Sequence, residues 1–175
     1  GGTIYMKQGN TDKMIASHDG WSEYVTNTRF YNSFEIGDLR HDWLIVDKVY
    51  NAAGEVIASV ADKKLSYPFC RKFIDPNFIG DKTSTRPYLI RYSDIALTYA
   101  KAYDLVNYVR NRAGLSNLEP NLSLEAFREA VLLERKYELA FEGNWCYDLR
   151  RWNRLHTDIE AAREQGLSAD MMVFY

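Results

Sequence analysis

Hydrophobic and polar positions follow three different rules along this chain. Residues 1–42 hold no sustained period: Gly, Asn, Ser, Thr and Asp are frequent, and Tyr5, Trp21, Tyr24, Phe30, Tyr31 and Phe34 are scattered among them. Such a pattern predicts a long, ordered but irregular region, a kind of segment that is often functional. Residues 43–60 then read as a β-hairpin. Trp43-Leu44-Ile45-Val46 and Val56-Ile57-Ala58 are β-prone runs, and Asn51-Ala52-Ala53-Gly54 between them has turn chemistry. Residues 61–90 return to loop, broken by Pro68, Pro76 and Pro87.

From Tyr92 the period becomes helical. Ile95, Tyr99, Ala102, Val106, Val109 and Ala113 share one face, and Gly114 is placed to end the helix in the left-handed conformation. A loop around Pro120 leads to Ser123, a good N-cap for a second helix over 124–142 that Gly143 stops. A third helix is predicted from Cys146 to Arg163, closed by Gly166, with no pattern assigned to 169–175. The chain therefore reads as an irregular and β first half followed by an antiparallel run of about three helices.

Composition adds two points. Hydrophobic residues make up 46% of 175, enough for a folded core. The net charge is −2 with both signs interspersed, which gives no basic face for nucleic acid. Thirteen Tyr, eight Phe and four Trp supply either amphipathic packing or rings that stack on flat ligand faces, such as the C–H faces of sugars. Cys70 and Cys146 have neither CxxC nor metal spacing and are expected as two partly buried free thiols. Gly1-Gly2-Thr3-Ile4-Tyr5 lacks the basic-then-apolar order of a signal peptide. No stretch reaches the roughly 18 apolar residues of a spanning helix. Alone, the sequence reads as a soluble domain, or as a processed or truncated part of something longer.

The second helix holds the sharpest puzzle. At 100° per residue, Phe127, Ala130, Val131, Tyr137 and Phe141 define an apolar face. Glu134 and Glu138 fall in its middle and Glu142 on its edge, while Leu132 and Leu139 lie opposite, so the helix is expected to be buried on more than one side. Carboxylates there need partners, because an unpaired buried charge is costly. Either they form an acid–base pair, as in a glycosidase, or they pair with arginines. Arg150, Arg151 and Arg154 follow Gly143 closely, and a helical hairpin would bring them alongside. A helical di-metal site would want Glu-x-x-His motifs, but His18, His41 and His156 are isolated and none lies on this helix. There is no Gly-x-Ser-x-Gly elbow and no phosphate-cradling glycine loop.

The run Glu134-Arg135-Lys136-Tyr137-Glu138-Leu139-Ala140-Phe141-Glu142-Gly143, followed by Tyr147-Asp148-Leu149-Arg150-Arg151-Trp152, resembles the C-terminal signature of the RagB/SusD family. Phe34 to Arg40 is similar to that family's Gly-Asp-x-Arg element, and Arg71 to Asp75 to its Lys-Phe/Tyr-x-Asp strand. Pro87 to Asp94 is similar to its Pro-x-x-Arg-Tyr-Ala-Asp helix start, and Val109 to Leu115 to its Arg-x-Arg-Ala-Gly-Leu helix end. The signature's Arg-Trp is replaced by Trp145-Cys146. The family's usual insertion beside Lys101 is also absent, so either the loop is deleted or residues are missing there.

The resemblance implies a mainly α protein of the SusD-like, tetratricopeptide-like α-α superhelix class. Residues 1–175 would be its C-terminal region, loop-rich with a β-hairpin over 1–91 and helical over 92–168. It implies a nutrient-binding protein at the cell surface of an outer membrane, held by an N-terminal lipid anchor preceding this chain. Such a protein captures an oligosaccharide and passes it to a TonB-dependent SusC-like transporter, with no catalysis and no cofactor. The signature residues Glu134, Arg135, Glu138, Glu142, Asp148, Arg150, Arg151 and Trp152 are then scaffold. No motif transfers the ligand contacts. The aromatic segment supplies candidates, with Trp21, Tyr24 and Tyr31 as rings and Asn27 and Arg29 as polar partners; the alternative for each is packing against scaffold. Two other functions compete: a glycoside hydrolase using Glu134 and Glu138, which requires them accessible in a cleft, and a protein-interaction module that binds no sugar.

Overall fold

A computed structural model describes residues 3–18, 25–80, 82–98 and 103–164. They form two compact units. The first comprises residues 1–34 and 39–87, the second 35–38 and 88–175.

The first unit is built on a sheet. Strands β1 (Thr3–Lys7) and β2 (Met14–His18) form an antiparallel hairpin in which Met6 faces Ile15 and Ile4 faces Ser17. Tyr5 pairs with Tyr50 of β4 (Lys48–Tyr50), and β4 pairs with β5 (Val56–Ser59), giving the order β2-β1-β4-β5. Met6, Val46 and Val49 make the buried core, with Ile4, Ile15, Leu65, Phe69 and Ile74 packed against it. The region expected to be irregular over 1–42 thus begins with a regular hairpin. Its signal was present, since Ile4 and Met6 alternate with Thr3, Tyr5 and Lys7 at the period of a strand.

The predicted hairpin over 43–60 keeps its turn and shifts its first strand. Asn51 Oδ1 accepts from the backbone N–H groups of Ala53 and Glu55, and Gly54 takes a positive φ of 82°. The strand entering that turn is β4, however, not Trp43–Val46. Trp43 and Leu44 lie in the short helix α2 (Arg40–Leu44), preceded by α1 (Thr28–Tyr31). Ile45–Val46 forms a separate strand, β3, paired with β6 (Phe69–Cys70). Tertiary packing overrides the β-propensity of Trp43. Its indole lies so close over Gly9 that an added Cβ there would meet the ring at 2.4 Å, and the Arg71 guanidinium lies 5.5 Å from the ring centre. Gly9 has φ +61°, a second reason that only glycine fits.

The second unit is helical: α3 (Tyr92–Thr98), α4 (Tyr103–Arg112), α5 (Leu124–Glu138), α6 (Trp145–Arg151) and α7 (Leu155–Glu164). The single helix expected from Tyr92 is described as α3 and α4, with 99–102, and so Tyr99 and Ala102, outside the described residues. Val106, Val109 and Ala113 are buried as the pattern predicts, but Ile95 is exposed, and α3 buries Ser93, Ala96 and Leu97 instead. The buried faces of α3 and α4 therefore do not share one helical phase. Gly114 ends α4 as expected. Its N–H donates to the Asn111 carbonyl and that of Leu115 to the Arg110 carbonyl, the paired bonds of a Schellman end.

Ser123 caps α5 by accepting from Ala126 N–H at 3.1 Å. The helix stops at Glu138, before the predicted 142, as Phe141 turns to φ +64° and Gly143 to +77°. Val131, Tyr137, Leu132 and Leu139 are all buried, so α5 is enclosed on more than one side. The third predicted helix is broken in two. Asn153 adopts φ +55°, its N–H donates to the Arg150 carbonyl, and Arg154 N–H donates to the Leu149 carbonyl. Asn is one of the few non-glycine residues that takes this conformation readily. The described chain is thus a mixture of helix and antiparallel sheet. No described helix is long and apolar enough to cross a membrane.

Candidate functional site

Two parts of the chain stand out by their chemistry, the aromatic segment and the carboxylate stripe. Of the aromatic segment, Trp21 and Tyr24 lie outside the described residues. Asn27, Arg29 and Tyr31 lie at α1. Asn27 is only 2% exposed and caps that helix: its Oδ1 accepts from Phe30 N–H at 2.8 Å. This gives Asn27 an ordering role and leaves a ligand no surface on it. Arg29 is half-buried on the same turn.

Tyr31 is half-buried, with its ring tilted against His41 at 4.9 Å. Its hydroxyl donates to Asp47 Oδ2 at 2.9 Å. Burial first, and then the hydrogen bond and negative charge of Asp47, push the phenol up to about 12. It therefore remains a neutral donor at any ordinary pH. Phe30, fully buried, meets Phe34 edge-on at 5.0 Å, and Phe34 meets His41 at 5.4 Å. The turn is thus held by aromatic contacts among Phe30, Phe34 and His41.

The carboxylate stripe is buried and paired. Glu134 is 1% exposed, and its Oε1 accepts from Arg110 Nη1 at 2.6 Å. Arg110 also reaches Glu35 at 3.0 Å and the Ser116 carbonyl. Glu138, 6% exposed, accepts from Arg91 Nη1 at 2.5 Å and from Arg112. Glu142 accepts from Arg91 Nε at 2.8 Å. Arg135 Nε donates to Asp148 at 2.8 Å, and Arg135 also pairs with Asp94 at 2.9 Å; Arg151 takes the other Asp148 oxygen.

The arginines thus come from α4 and from the residue before α3, upstream of the stripe, and not from Arg150, Arg151 and Arg154 as the hairpin argument expected. Among the described residues, the half-exposed Arg151 pairs with the buried Asp148 of its own helix, and Arg154 pairs with Glu129 at the surface. Arg150 is exposed. Trp152 packs under the Arg128 guanidinium at 5.3 Å. The reason is distance in sequence: Arg91 and Glu138 are 47 residues apart, and no helical period reports such a pair. Trp145, at the signature's missing arginine, takes the Lys136 ammonium over its ring at 5.8 Å instead.

This arrangement is poor acid–base machinery. Burial alone would raise the Glu138 carboxyl, but the hydrogen bonds and charges of Arg112 and Arg91 outweigh it and hold the group below its usual range. A glycosidase acid needs the opposite shift. Among the described residues no group of His, Cys, Asp and Glu could hold a metal ion. Cys70 and Cys146 are half-buried free thiols, and burial pushes Cys70 up to about 11, far from a reactive thiolate.

Comparison with known proteins covers nearly the whole chain. The model of the SusD family matches residues 3–172. SusD-like protein P2 of Formosa agariphila is 26% identical over 160 residues, spanning 76% of this chain and 32% of that protein. SusD-like protein P25 of the same organism is 44% identical over 59 residues, 32% of this chain and 11% of the relative. The chain therefore matches no more than about a third of either relative's length. No solved structure gives a significant match. With a family model matched along almost its full length and the family's signature glutamates buried against arginine, the chain belongs to the SusD family.

Proposed function

We propose that this chain is part of a cell-surface protein that captures an oligosaccharide and hands it to a TonB-dependent SusC-like transporter, without chemistry on the sugar. The observation that carries this reading is the family match over residues 3–172. On the same reading, the full-length protein is lipid-anchored at the outer membrane, and the α3–α7 unit belongs to a tetratricopeptide-like superhelix. The state of the stripe supports binding over hydrolysis, since Glu138 is neutralised by two arginines and depressed, not raised.

For the ligand contacts, we assign stacking to Trp21, Tyr24 and the half-buried ring of Tyr31, with Arg29 as the polar partner. Asn27 orders the turn from below. Sugar recognition by rings needs flat apolar faces held in place, and preorganisation limits the entropy lost on binding. The α1 turn, fixed by the Asn27 cap and the Tyr31–Asp47 bond, offers such a base.

A glycan array probed with the protein and its Trp21→Ala variant tests this reading. Binding that weakens in the variant supports capture through the aromatic segment. Binding that persists unchanged moves the ligand contacts elsewhere. An array on which the wild-type protein binds nothing removes the capture reading.

A further inference from the structure

The helical unit holds an open cleft of about 340 Å³ bounded by α3, α5 and α6, within the roughly 300–1,000 Å³ of small-molecule sites. Its floor is locked. Arg135 is 4% exposed and gives its guanidinium to Asp148, Asp94 and the Thr98 hydroxyl, at 2.8, 2.9 and 2.8 Å. Arg151 pairs with the remaining Asp148 oxygen. Both floor aspartates are therefore already matched by positive charge.

The rim differs. Asn144, Tyr147 and Arg150 face the same cleft at a spacing of three residues, which places them along one side of α6. Asn144 is half-buried and makes no side-chain capping bond. Tyr147 is 66% exposed. Arg150 is exposed and has no carboxylate partner among the described residues. The lining carries three arginines and two aspartates, so one positive charge is left over, and it resides on Arg150.

We propose that this cleft binds an acidic saccharide unit, with the carboxylate of a uronic acid on Arg150, the sugar face on Tyr147 and a hydroxyl on Asn144. The inference rests on the capture reading and names the ligand class. Each group has a matching function. A guanidinium fork fits a planar carboxylate through two parallel hydrogen bonds. An exposed phenol ring offers the flat apolar surface that a pyranose C–H face needs. An amide both donates to and accepts from a hydroxyl. The paired floor prevents Asp94 and Asp148 from repelling the anion.

Affinity electrophoresis through gels containing polygalacturonate, alginate or neutral laminarin tests the proposal with the protein, Arg150→Gln and Tyr147→Ala; thermal melts check that both variants fold. The expected result is retardation of the wild type by a uronate polymer, weakened roughly tenfold in Arg150→Gln, about the loss of one charge-assisted hydrogen bond. Tyr147→Ala should weaken retention as well. Retention by uronates that neither variant changes overturns the site. Retention by laminarin alone overturns the acidic ligand while leaving capture intact. No retention here, together with an array that binds nothing, overturns capture and this proposal with it.

Discussion

At Glu138 two arginines converge on one buried carboxylate, and the balance of forces there is readable in its protonation. Burial opposes its charge, and Arg112 and Arg91 more than offset the penalty. Removing one member of a buried pair costs about 3–5 kcal/mol, largely because the other charge is stranded. Glu138→Ala should therefore lower the denaturation midpoint strongly, since it strips Arg91 of one of its two carboxylates. Glu138→Gln, which keeps an acceptor, should lower it less. Equal midpoints for wild type and Glu138→Ala in urea titrations would mean that the pairing does not hold the unit together. A second carboxylate carries a pH dependence. Asp75 accepts from the backbone N–H groups of Ser84 and Asn77, which lower its carboxyl from 3.8 to about 2. A group that ionises more easily when folded stabilises the fold while ionised. Its contribution is full above 3.8 and disappears as the pH falls toward 2. The stability difference between wild type and Asp75→Asn, measured by thermal melts, should shrink across that window. A difference that stays constant down to pH 2 would contradict the assignment.

At the scale of elements, local chemistry was legible and distant pairing was not. Ser123 as a cap, Gly114 as a helix stop and Asn51–Gly54 as a turn all act within a few residues, and each stands where the sequence placed it. The β1–β2 hairpin carries only a weak signal because its two five-residue strands lie amid polar residues, although Ile4 and Met6 alternate correctly. Trp43 departs from its β-propensity because its position answers to Gly9, 34 residues upstream in sequence, and not to its neighbours. The break between α6 and α7 had a single-residue signal, Asn153, within an otherwise helical pattern. That break supports a further prediction. Asn153→Ala adds helix propensity but must hold φ +55°, at a cost of about 1 kcal/mol. It should destabilise the protein in chemical denaturation, whereas Asn153→Gly should not. A more stable, more helical Asn153→Ala protein by circular dichroism would show that the break is not built into the fold.

At the scale of the molecule, the partners of the stripe were anticipated in kind and misplaced in origin. In the sequence the arginines at 91, 110 and 112 are marks of family resemblance, and only the folded unit brings them to Glu134, Glu138 and Glu142. The acidic stripe is thus a structural spine, and ligand chemistry belongs to surfaces beside it. Trp21 and Tyr24 lie outside the described residues, and their part in capture is read from binding. The most direct measurement is affinity electrophoresis against the glycan selected on the array, with end-group analysis of the glycan recovered from the gel. The account predicts retardation with no new reducing ends. Release of reducing ends by the wild-type protein, abolished in Glu138→Gln, would contradict it and restore the hydrolase.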